Sequence, residues 1–137
     1  MAIIRFVPTV KDGALAVIRT AIDAGSGPGT IKIYSSPQPT LATDAVTTQT
    51  HLGTLSFQDP CGTETGGVFT AALPMVSEDA ALATATATWA RIADSAGNTV
   101  CDVDVGTTGG GASLQMNTTA IVINGPIVIN SFTISVP

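Results

Sequence analysis

The sequence predicts a mainly β fold, a β-sandwich or jelly-roll-like domain of about eight strands preceded by one N-terminal amphipathic helix. Three observations predict it. Short segments of alternating apolar and polar residues recur from residue 30 to the C-terminus. Turns rich in Gly, Pro, Asn and Asp separate them at intervals of about 8 to 15 residues. Clear helical periodicity is confined to the start of the chain.

With 137 residues the chain is read as one domain, long enough to bury a core without covalent staples. Its 45% hydrophobic content and mean hydropathy of +0.42 exclude a disordered chain. Only 11% of residues are charged, so Thr, Ser, Ala and Gly cover much of the surface, which suits a protein that hides part of itself against neighbours. The net charge is −5 and the five basic residues, Arg5, Lys11, Arg19, Lys32 and Arg91, are scattered. Phosphate-backbone binding needs clustered Lys and Arg, so no nucleic-acid partner is expected. No apolar run reaches the length of a membrane span, and residues 1–8 are too short and interrupted for a signal peptide. Folding is therefore expected in the cytoplasm, with Cys61 and Cys101 as free thiols in preference to a disulfide.

Residues 1–8 form an apolar arm ending in Pro8. It can pair as an edge strand with the domain's own sheet or reach a neighbouring subunit, and both readings stand at this point. The domain proper spans 9–137 and opens with a helix over about 9–24. Thr9 is placed to cap it, with Asp12 three residues on as a weaker form of the capping box. Ala14, Leu15, Ile18, Ala21 and Ile22 supply its apolar face, Lys11, Asp12, Arg19 and Asp23 the opposite one, and Gly25 its end. The face is expected to pack across a sheet, with an assembly contact as the alternative.

Residues 30–35, 51–57, 68–73, 99–105, 113–117, 119–123 and 127–136 read as strands, and 36–49 and 59–67 as loops. The run Ala83-Thr-Ala-Thr-Ala-Thr-Trp-Ala-Arg-Ile-Ala-Asp94 reads as a long central strand, with a helix as the competing assignment. Trp89 and Arg91 then share one face with Ala83, Ala85 and Ala87, while Ala90 and Ile92 share the other with Thr84, Thr86 and Thr88. On the last strand Val128, Phe132, Ile134 and Val136 are expected to be buried. The loop 106–112, with four glycines in seven residues, should be mobile or packed closely against another backbone.

No catalytic constellation emerges, and the chain is not expected to be an enzyme. His51 is the sole histidine, and no Ser or Cys sits in a recognisable nucleophile setting. The cysteines and histidine lack the paired spacing of a metal site. Asp102 and Asp104 share a strand face, with Asp94 near across a hairpin, but the pattern of a calcium loop is missing and a solvated sheet face is the favoured reading. Trp89 with Arg91 can form a stacking pair or a small sugar platform, against the favoured core Trp. No cofactor is implied.

Several stretches in order and spacing resemble a family of small structural proteins of tailed-bacteriophage virions. They are Ala21-Ile-Asp-Ala-Gly25 with Gly27-Pro-Gly29, Ile31-Lys-Ile-Tyr34, Leu52-Gly-Thr-Leu-Ser-Phe-Gln-Asp-Pro60, Gly66-Gly-Val68, the Ala-Thr-Ala-Thr-Trp-Ala-Arg segment ending at Arg91, Asp94-Ser95 with Gly97, Asp104-Val-Gly-Thr107 and Ser131-Phe-Thr-Ile134. The apolar arm and the two cysteines depart from that pattern. The resemblance implies a non-enzymatic head decoration or cement protein, made in the host bacterial cytoplasm and carried on the capsid surface. Its partners would be the major capsid protein and copies of itself, as a homo-oligomer of cyclic symmetry such as a trimer. A tail or fibre component, or a receptor- or glycan-binding module using Trp89 and Tyr34, is the alternative. The expected contact residues are Ile3, Ile4 and Phe6 in the arm and Gly109, Gly110 and Gly111 in the glycine-rich loop.

Overall fold

The computed structural model describes residues 4–75 and 80–136. It shows the expected mainly β fold with a single N-terminal helix among the described residues, α1 (Pro8–Ile22). Ten strands follow: β1 (Thr30–Tyr34), β2 (His51–Ser56), β3 (Gly62–Thr65), β4 (Val68–Ala71), β5 (Ala85–Thr86), β6 (Trp89–Ala93), β7 (Thr99–Thr107), β8 (Leu114–Met116), β9 (Ala120–Ile121) and β10 (Ile129–Ser135). Eight of them form one mixed sheet in the order β2-β1-β6-β7-β8-β10-β4-β3, and β5 pairs with β9 in a small second sheet. The two edge strands β2 and β3 are consecutive in the chain and are joined by residues 57–61 alone, so the large sheet curls until its edges approach each other. Phe57, Phe69 and Phe132, all at most 1% exposed, fill the space it encloses, with the Phe132 ring centroid 6.0 Å from that of Phe57 and 6.1 Å from that of Phe69.

The helix begins one residue before the expected start. Proline fixes φ near the helical value and lacks only an N–H that the first turn would leave unpaired, so Pro8 takes the first position and Val7 becomes the N-cap. Thr9 is inside the first turn and no side chain caps it. Asp12 instead accepts a 2.7 Å hydrogen bond from Gly67 N–H, tying the helix to the β3–β4 turn. Gly25, at φ +95°, reverses the chain after the helix.

The long strand expected over 83–94 is broken. At Ala87 the N–H donates to Thr119 O, on the small sheet's side, and at Thr88 it donates to Tyr34 O, on the large sheet. The chain changes partners there, so β5 and β6 are separate strands. β3 is a strand where a loop was expected, because Gly62 to Thr65 pair with β4 residue for residue. Over the last expected strand, 127–136, the buried face differs from expectation: Ile127, Ile129 and Phe132 are buried, Val128 is 45% exposed, and Ile134 and Val136 are only partly buried. The register slips between Ile129 and Ser131, and such a bulge switches which alternate residues face the core.

β7 and β8 run parallel although only residues 108–113 join them. Parallel neighbours ordinarily need a crossover of a dozen residues or more. Here the chain hooks back on itself: Gly110 N–H donates to Thr107 O, Thr108 N–H to Met116 O, and a Cβ at Gly106 would come within 2.9 Å of Ala112. Gly109 and Gly111, at φ +83° and +89°, make that reversal possible. The glycine-rich loop thus serves a close backbone approach within its own chain.

Candidate functional site

Register places a polar and aromatic cluster on the outer face of the β2-β1-β6-β7 half of the sheet. Lys32 pairs with Arg91 and Tyr34 with Trp89 across β1 and β6, and Arg91 with Asp102 and Trp89 with Asp104 across β6 and β7. The intervening residues Ile31, Ile33, Ala90 and Ile92 are fully buried on the inner face. Trp89 and Arg91 share a face as the alternation predicts.

The cluster is roofed by residues 35–50, a loop closed at its base by Ser35 N–H donating to Thr50 O. Arg91 holds the roof down. Its Nε and Nη2 donate to the two carboxylate oxygens of Asp102 at 2.7 and 2.8 Å, and its Nη1 donates to Asp44 O at 2.7 Å. The guanidinium also lies 5.5 Å above the Trp89 ring. The Asp102 hydrogen bond raises the Arg91 pKa further, so it stays charged. Tyr34 stacks on Trp89 with centroids 4.6 Å apart, and His51 lies against Tyr34 at 5.2 Å. Burial pushes the Tyr34 hydroxyl upward in pKa.

Trp89 is 1% exposed and Tyr34 6%, so neither offers a free ring face to a sugar. Among the described residues, Trp89 Nε1 is the single buried side-chain N or O atom without a hydrogen-bond partner. Beside the roof lies an open groove of about 470 Å³, lined by Thr30, Lys32, Tyr34, Val46, Arg91 and the turn between β6 and β7. Among its described lining residues, Lys32 is the one exposed cation.

The carboxylates considered for a cation are each engaged separately. Asp102 is held by Arg91, Asp104 Oδ1 accepts from Ser113 N–H at 3.0 Å, and Asp94 Oδ1 accepts from the N–H groups of Ala96 and Asn98 at 2.9 Å. No group of three or more potential ligand side chains converges among the described residues. His51 Nε2 lies 3.1 Å from both Gly53 O and Thr54 Oγ1. Cys61 and Cys101 are free thiols, and burial raises their pKa to about 12 and about 11 respectively, which keeps both protonated and poorly nucleophilic.

Asp94 is linked to acid stability. The Asn98 side chain and the turn's N–H groups hold its carboxyl below the ordinary value of 3.8. A carboxyl whose folded pKa is depressed adds stability above the unfolded value, and loses it as pH falls through the folded value. Urea titrations at successively lower pH should show wild-type stability falling below pH 3.8 more steeply than that of Asp94→Asn, which starts lower at neutral pH. Parallel curves would contradict this.

The second candidate surface is formed by the arm and α1. Ile3 lies outside the described residues. Ile4 is 69% exposed, Phe6 46% and Val7 60%, and residues 4–7 pair with no strand, which removes the edge-strand reading for that part of the arm. Gly109, Gly110 and Gly111 are exposed on the hook between β7 and β8. The helix buries Leu15 and Ile22 but leaves Val10 and Val17 half to two-thirds exposed. Sequence reading missed these two, although Val10, Ala14, Val17 and Ala21 repeat at helical spacing as a second apolar stripe.

No family model, curated protein or solved structure matches the chain. Among the described residues no helix is long and apolar enough to cross a membrane.

Proposed function

We propose that the chain is a non-enzymatic structural protein of a tailed-phage virion, a head decoration or cement protein seated on the major capsid protein lattice and associating with copies of itself. The ordered landmarks given above support the family reading. The observation that carries the surface role is the exposed arm: Ile4, Phe6 and Val7 stand exposed around Arg5, directly before a helix whose own solvent side is uncharged. Binding by many copies of such a surface gains avidity from modest individual contacts. The structure disfavours Trp89 and Tyr34 as a glycan platform, since both rings are buried.

Cryo-electron microscopy of particles carrying the protein tests the placement. Density on the head lattice is expected, density confined to the tail would replace the decoration role with a tail role, and absence from the particle would overturn the virion reading. Deleting residues 2–7 is expected to reduce occupancy on particles while the circular dichroism spectrum stays unchanged. Undiminished occupancy would remove the arm from the contact.

A further inference from the structure

We propose that the outer face of α1 is a two-fold contact between two copies of this chain, with Gly13 at the point where the helices cross. The first argument is where the helix spends its charges. Arg19 forms a forked ion pair with Glu64, with Nε–Oε2 at 2.9 Å and Nη2–Oε1 at 3.0 Å. Asp12 accepts from Gly67 N–H, and Asp23 accepts from Cys61 N–H at 3.0 Å. The Lys11 stem lies over Gly67, where an added Cβ would meet its Cδ at 2.6 Å. All four charged side chains of residues 8–23 are therefore turned to the protein's own β3–β4 hairpin and the segment leading into it. The solvent side is left with Thr9, Val10, Gly13, Ala14, Val17, Thr20 and Ala24, with Ala21 half-buried at its margin, and carries no charge. Two chains of net charge −5 repel over most of their surfaces and least where both present this face.

The second argument is Gly13 itself. A glycine inside a helix weakens it relative to alanine, and such a position calls for a reason. The described residues supply none: Gly13 has ordinary helical φ, and a Cβ built on it meets nothing within 4 Å among them. Omission of a side chain at the middle of an exposed apolar stripe permits another backbone to come close. Shape agrees with this. Val17, 69% exposed, stands as a ridge between two shallow grooves, one of about 270 Å³ shared with Gly13, Ala16 and Thr20, the other of about 440 Å³ running toward Asn98, Thr99 and Val100, with Asp94, held within its own turn, at its margin. A ridge flanked by grooves is self-complementary, as a two-fold helix contact requires.

Sedimentation of the purified full-length chain over a range of concentrations tests the proposal, with circular dichroism and urea unfolding as controls. Wild type is expected to self-associate reversibly. Val17→Glu should weaken association about tenfold or more without changing the spectrum. Gly13→Gln should act with opposite signs, raising the unfolding midpoint of the dissociated chain through better helix propensity while weakening association. Leu41→Glu, at an exposed position on the roof loop, should associate as wild type does. A wild-type chain that stays monomeric throughout, or variants that associate as tightly as wild type, would overturn the proposal. A monomer in solution whose helix face becomes protected only on particles would also overturn it, and would give the face to the capsid protein. Because the measurement uses the isolated chain, its outcome is independent of where on a virion the protein sits.

Discussion

Replacing Trp89 by alanine is expected to destabilise the protein by about 3–5 kcal/mol, the usual cost of deleting a large aromatic side chain from a core. The residue is 1% exposed, stacks on Tyr34 at 4.6 Å and lies 5.5 Å from the Arg91 guanidinium, so the loss removes both of these ring contacts. Urea unfolding with a global probe measures it, and since native domains hold only about 5–15 kcal/mol in total, the variant should unfold at a far lower midpoint. Trp89→Phe separates packing from polarity. The indole N–H of Trp89 has no partner among the described residues, and an unpaired buried donor costs about 1–3 kcal/mol. Removing it offsets much of the lost area, so Trp89→Phe should stay within about 1–2 kcal/mol of wild type. A Phe variant as unstable as the Ala variant would show that the indole N–H is satisfied.

The second large effect concerns Arg91. Its side chain is 12% exposed and that of its partner Asp102 only 3%, so Arg91→Met strands a carboxylate that cannot reach water. Breaking a buried pair from one side costs about 3 kcal/mol or more, whereas replacing both members by apolar residues of similar size is often neutral. Arg91→Met is accordingly expected to lower stability by about 3 kcal/mol, and Arg91→Met with Asp102→Leu to recover most of it. The two variants share a further loss, the Nη1 bond to Asp44 O that anchors the roof. Limited proteolysis should therefore cut within residues 35–50 faster in both, including the double variant whose global stability has returned. Equal loss in single and double variants would mean that the pair, not the stranded charge, sets the energy.

The parts of the fold legible in the sequence are those fixed by neighbours a few residues away. α1 shows in the spacing of Leu15, Ile18 and Ile22, and β1, β2 and β7 show in their period-two patterns. What escaped the sequence depends on distant partners. Gly62 to Thr65 has no apolar residue to mark a buried face, sits among turn residues, and becomes β3 by pairing with β4. The Ala-Thr run has the pattern of one strand, yet two different neighbours claim its halves. On β10 a single bulge at Asn130 moved Val128 to the surface. The outer-face cluster was half legible, because Trp89 and Arg91 are local neighbours, but Tyr34 and Asp102 join them only through cross-strand register. The exposed stripe on α1 is present in the sequence as a pattern, but apolar residues at helical spacing are ordinarily assigned to the core.

The short hook between β7 and β8 has a consequence for how the chain folds. It divides the large sheet into two antiparallel quartets, β2-β1-β6-β7 and β8-β10-β4-β3, and the chain visits them alternately, two strands at a time. Neither quartet is a continuous stretch of sequence. Pairing β1 with β6 spans residues 34 to 89, and pairing β4 with β10 spans residues 71 to 129. Closing such long loops before native contacts can reward them places the protein among slow folders, on the millisecond-to-second scale. It also makes the two halves inseparable: a fragment ending after β4 holds two hairpins without their sheets, so the chain gains its structure only once nearly all of it is present.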